Sequence, residues 1–162
     1  MSGVLEVDRV MVNAGPQVLL QLSHLSFAPG QVSAILGPNG AGKSTLLSLL
    51  SGQRRPDRGE VRLDGQPLRS HRAETLARRR ALMAQDTQVA FGFLVREVVE
   101  LGRYPHRLRP SRDEAGIVTA AMRATQVEAL ARRELNTLSG GERARAHLAR
   151  ALAQIWDAPA DG

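Results

Sequence analysis

The chain has 162 residues, 43% hydrophobic and 23% charged, which is the range of one ordinary globular domain. Its lack of cysteine excludes disulfides and thiolate metal sites, and its four histidines (His24, His71, His106 and His147) show no paired ligand spacing. The net charge of +6 sits in runs such as "RSHRAETLARRR" and "GRYPHRLRPSR" that read as solvated faces, and 3% aromatic content leaves little to stack on bases, so no nucleic-acid partner is expected.

The first third of the chain reads as strands and turns. Val18, Leu20 and Leu22 alternate, as do Val61 and Leu63, with Asp64 and Gly65 as a hairpin turn. "QVSAILG" (31–37) is a short apolar run ending in glycine, the pattern of a buried parallel strand. A helix is predicted over 43–50, carrying Leu46, Leu47, Leu49 and Leu50 and ending at Gly52. "ETLARRR" reads as a helix before a second apolar strand, "ALMA" (81–84). From Gln85 on, the pattern becomes helical. "LVREVVELG" places Val95, Val98, Val99 and Leu101 on one stripe. "SRDE" (111–114) has the Ser-x-x-Glu spacing of a capping box and leads into a helix through Ile117, Val118, Ala121 and Met122. A second such pair, Ser139 and Glu142, opens a last helix with Leu148, Leu152 and Ile155 expected inward. There is no internal repeat, no low-complexity stretch and no run of about 18 apolar residues that would span a bilayer.

"GPNGAGKST" (37–45) fits G-x-x-x-x-G-K-[ST] between a predicted strand and a predicted helix. The residue types follow from phosphate chemistry. Gly37, Gly40 and Gly42, with Pro38, Asn39, Ala41 and Thr45, shape a loop whose backbone N–H groups turn inward, and the helix start adds partial positive charge. Lys43 brings a mobile cation to the phosphate oxygens, and the Ser44 hydroxyl suits a magnesium ion. Phosphates of a nucleoside triphosphate are the expected ligand.

"LSGGE" (138–142) taken alone is a common helix start. Together with the loop at 37–45, it makes the sequence resemble the nucleotide-binding domain of an ABC ATPase over essentially its whole length. The resemblance implies an α/β P-loop core with an N-terminal antiparallel β part and a helical subdomain, divided as 1–85, 86–138 and 139–156. It implies that residues 37–45 hold ATP and Mg2+, and that Ser139, Gly140, Gly141 and Glu142 face the ATP of a second copy in a homodimer. Gln85 matches the glutamine that such proteins place beside magnesium and the attacking water, so Lys43 and Gln85 are the candidate catalytic residues, with Ser44 and Gln85 toward the metal. "QDTQVAFGFLVREVVELGRYPHR" and "LARALAQIW" are similar to the ATP-binding subunits of bacterial haem importers, close kin of those for iron-siderophores and cobalamin. That likeness implies a subunit on the cytoplasmic face of the inner membrane, working with two permease subunits and, indirectly, a periplasmic haem-binding protein.

Two departures from the pattern set further expectations. In the family an apolar strand ending in Asp-Glu follows the helix after "LSGGE"; Asp157 and Asp161 in "WDAPADG" have no such strand before them and are not that pair. The expectation is therefore that the C-terminal part of the core, with those carboxylates and the switch histidine, is missing from this chain. The strands at 31–37 and 81–84 would then lack neighbours, leaving the isolated chain marginally stable, and a binding module without hydrolysis becomes the alternative. At the adenine, where the family stacks an aromatic residue, "VNAGPQ" offers Asn13 and Ala14.

Overall fold

The computed structural model describes residues 4–83 and 92–157. They form two compact units, one ending at Ala73 and one beginning at Glu74.

In the first unit, β1 (Leu5–Ala14), β2 (Gln17–Phe27), β3 (Arg58–Leu63) and β4 (Gln66–Pro67) make an antiparallel sheet in the order β2-β1-β3-β4. Asp64 and Gly65 both take left-handed backbone angles (φ 54 and 73), the conformation of the tight turn that matches strand twist. Strict alternation along β1 would bury every second residue, yet Val7, Val10 and Val12 are all buried. A bulge resolves the conflict. Asp8 pairs with Glu60 and Met11 with Arg58, so β1 carries one extra residue there, with Arg9 at φ 47. Gly59 allows the approach, since a Cβ on it would lie 2.2 Å from the Arg9 carbonyl oxygen.

Helix α1 (Lys43–Leu50) buries Leu46, Leu49 and Leu50, and leaves Leu47 exposed. Gly52, at φ 65, closes it as the sequence indicates. The strand expected over 31–37 does not form. Its Val32 and Leu36 are 102% and 88% exposed, and the segment pairs with nothing among the described residues. An extended segment without a hydrogen-bonded neighbour gains nothing from its apolar residues.

The second unit is helical. α2 starts at the boundary (Ala73–Arg79), followed by α3 (Val95–Glu100), α4 (Glu114–Ala124) and α5 (Gly140–Ile155). Its core joins Val95, Val98 and Val99 of α3, Val118, Ala121 and Met122 of α4, and Ala146, Ala149 and Ala153 of α5. Three expectations are corrected here. The strand "ALMA" does not form over 81–83, where Leu82 and Met83 are exposed; Ala84 lies outside the described residues. Leu101 and Leu148 face solvent, because the chain tightens to a 3-10 helix over Leu101–His106 and α5 turns its alanines inward instead. At "SRDE" the cap of α4 is Asp113, which accepts from Gly116 N at 2.8 Å, while Glu114 reaches back to Ser111 N at 2.7 Å.

Candidate functional site

The loop at 37–45 is exposed along most of its length. Gly40 and Gly42 have φ of 82 and 83, so the chain folds back before entering α1. Lys43 turns back over this loop, and its Nζ donates to the carbonyl oxygens of Gly37 and Pro38 at 2.8 and 2.7 Å. Ala41 N donates to Pro38 O at 3.2 Å, a tight turn under the same ammonium. The helix opens on Gly42 with no side-chain cap. An α-helix leaves its first backbone N–H groups without intrahelical partners, and among the described residues no side-chain cap takes them up. The result is an exposed loop combining open amide donors, the positive end of a helix and a Lys ammonium with one donor to spare, a set matched to phosphate oxygens. Ser44 is exposed and Thr45 half-buried.

The start of α5 is built differently. Ser139 Oγ accepts from Glu142 N at 3.3 Å, while a Glu142 carboxylate oxygen accepts from Ser139 N at 2.8 Å and from its hydroxyl at 2.7 Å, a complete capping box. The Ser139 hydroxyl, with its backbone N–H, holds the Glu142 carboxyl below the usual carboxylate range. Packing among the described residues does not explain the two glycines. A Cβ on Gly140 would meet nothing within 4 Å, and one on Gly141 only Arg145 Nη1 at 3.8 Å. The loop and this helix start lie in different units, and Gln85 lies outside the described residues.

A polar cluster in the second unit was not legible in the sequence. Arg103, 7% exposed, donates from Nε and Nη2 to the Glu114 carboxylate at 2.6 and 2.9 Å, from Nη1 to Asp157 Oδ1 at 2.8 Å and from Nη2 to Ser111 Oγ at 3.0 Å. Burial, the largest single influence, lowers the Arg103 pKa, but the hydrogen bonds and charges of Glu114 and Asp157 together outweigh it and raise it. Asp157 is held well below the usual carboxylate range, first by its hydrogen bond from Arg103 and against the opposing effect of burial. The only signal in the sequence was a lone arginine amid "LGRYPH", indistinguishable from the surface arginines around it.

The ABC transporter family matches residues 20–157. The chain belongs to the ABC transporter family. Membership in this ABC family implies nucleotide binding. Among its relatives, the hemin import ATP-binding protein HmuV of Pseudomonas putida is 48% identical over 153 residues, covering 94% of this chain and 60% of the relative. That of Gloeobacter violaceus is 46% identical over 160 residues, covering 98% and 58%. Among solved ABC structures, a putative metal-chelate type ABC transporter in an inward-facing conformation superposes with a TM-score of 0.77 at 28% identity, covering 95% of this chain and 57% of that one. The cbiO1 protein of Clostridium perfringens, part of the ABC transporter complex cbiONQ, gives 0.82 at 28% identity, covering 95% and 62%. This ABC family chain therefore spans about three fifths of the length of the curated relatives it matches. No helix among the described residues is long and apolar enough to cross a membrane.

Proposed function

We propose that this chain carries the nucleotide-binding loop and signature helix of an ATP-binding subunit that drives import of hemin. The observation that carries the reading is the loop at 37–45, where Lys43 is folded over an uncapped helix start. The loop amides bind the β- and γ-phosphates of ATP. Lys43 exchanges its bonds to the Gly37 and Pro38 carbonyls for phosphate oxygens, and this exchange offsets part of the cost of opening the loop. Exposed Ser44, with Gln85, would hold Mg2+, which supplies charge neutralisation at the transferred phosphoryl group. Ser139, Gly140 and Gly141 approach the nucleotide of a second copy, and the lack, among the described residues, of a contact that would require glycine at 140 and 141 supports this use. The dimer works beneath two permease subunits at the cytoplasmic face of the inner membrane, supplied by a periplasmic haem-binding protein. The relatives at 43 to 48% identity that are named for hemin import support hemin over an iron-siderophore or cobalamin.

A titration of the chain with a fluorescent ATP analogue tests the site. Lys43→Ala should weaken binding at least about tenfold, and equal affinity of wild type and variant would overturn the assignment. A second reading is nucleotide binding without turnover. The carboxylate following α5 among the described residues is committed to Arg103 and is not available to activate water. Phosphate release from wild type no faster than from Lys43→Ala supports this second reading.

A further inference from the structure

The last carbonyl groups of a helix have no intrahelical donors. At the end of α5 two of them are taken by side chains from the 3-10 segment Leu101–His106. Arg103 Nη1 donates to Ala153 O at 2.7 Å, and His106 Nε2 donates to Gln154 O at 2.9 Å. A carbonyl can only accept, so Nε2 carries the hydrogen. The His106 Nδ1 then stands 3.7 Å from Asp157 Oδ1, and Asp157 also accepts from Arg103. Gly102 brings the two backbones together, since a Cβ there would fall 2.2 Å from Arg150 O. Every N–H of the Arg103 guanidinium is engaged, with acceptors on this segment's neighbours Ser111 and Glu114 as well as on α5.

The inward face of α5 is shallow: Leu152 is only partly buried against the core, and Gln154 Nε2, at the clamped end, donates to Ala77 O and Arg80 O at 2.7 and 3.0 Å. The fully buried apolar residues of α5 are Ala146, Ala149 and Ala153. Methyl groups interlock shallowly with a neighbouring helix and place only weak limits on rolling and tilting, whereas a planar guanidinium with fixed acceptors is directional. Sixteen residues make a rod of roughly 24 Å, so a tilt of about 5° moves its far end by about 2 Å. The far end is Ser139 and the two glycines, and a catalytic constellation tolerates displacements of only about 0.5 Å.

We propose that Arg103 and His106 are positioning residues that clamp the C-terminal end of α5 and so fix where Ser139, Gly140 and Gly141 stand. Their role toward nucleotide rests on the function proposed above. The outward face of the same segment exposes Leu101 and Tyr104, at 54% and 63%, so a contact made there acts on the clamp through one short stretch of backbone.

The chain lacks cysteine, so introduced pairs label uniquely. Spin labels at Ala124→Cys in α4 and Ala144→Cys in α5, both exposed, report the helix position by pulsed electron resonance. Ala144 lies nearer the clamp than Ser139 does, so Arg103→Gln should shift or broaden that distance distribution by about 1 Å. It should also weaken ATP-dependent self-association at least about tenfold while leaving ATP affinity unchanged. If Arg103→Gln does not fold, Arg103→Lys and Asp157→Asn carry the same readouts. An unchanged distance distribution overturns the clamp. Broadened distances with unaltered self-association overturn the positioning role and leave a merely structural one. Wild type that does not self-associate with ATP overturns the functional reading instead, and the distances still decide the clamp.

Discussion

Arg103 Nη1 donates to the carbonyl oxygen of Ala153 at 2.7 Å, across 50 residues of sequence. This bond exists because Gly102, beside Arg103, lets its segment lie directly on α5. Gly102→Ala would place a methyl group 2.2 Å from Arg150 O, a backbone atom that cannot swing aside. The substitution should cost on the order of 3 kcal/mol in chemical denaturation. A loss below about 0.5 kcal/mol would mean that the two segments are not in this contact.

The same cluster gives stability a pH dependence. Asp157 and Glu114 both have carboxyl groups held below the ordinary range, in each case chiefly by a hydrogen bond from Arg103. Their contribution is complete above the unfolded carboxylate value of about 4 and is lost as pH falls through the lower folded values. The denaturation midpoint should therefore drop as pH falls below about 5 and go on dropping as the solution is made more acidic, and Arg103→Gln should flatten that drop. Equal slopes for wild type and variant would contradict the pairing.

Gly42 fixes the exit of the phosphate loop. At φ 83 an alanine would be strained, and its Cβ would stand 3.0 Å from Leu19 O and 3.1 Å from Leu20 Cδ1. Gly42→Ala should cost about 1–2 kcal/mol of stability and should weaken nucleotide binding. Thermal melts with and without ATP separate the two effects, because a loop that still binds retains its ligand-induced shift.

Ser139 serves as a helix cap within the chain and as a proposed phosphate contact outside it. Ser139→Ala should destabilise by about 1 kcal/mol through loss of the cap. Ser139→Asp keeps a capping oxygen but sets a negative charge where phosphate is proposed to approach. It should match wild type in thermal stability more closely than alanine does, while abolishing ATP-dependent self-association. Normal self-association of the aspartate variant would remove Ser139 from the nucleotide site.

The sequence by itself determined what depends on neighbours along the chain. The turn at Asp64 and Gly65, the helix from Lys43 with its glycine stop, the capping box of Ser139 and Glu142, and the glycine loop are all set by backbone preferences and bonds within four residues, so their spacing is readable. Elements that need a distant partner were not readable. The apolar runs at 31–37 and 81–84 have the composition of strands, but a strand exists only where another segment completes its hydrogen bonds. The sequence pattern also pointed Leu148 inward, because Leu148 and Ala149 are adjacent and both apolar and the larger side chain is the stronger core signal; packing against Val95, Val98 and Val99 selects the alanines instead. The tertiary structure alone separated Arg103 from the other arginines. Burial beside Glu114, Asp157 and the end of α5 gives it acceptors for every donor, and none of those acceptors lies within seven residues of it in the chain.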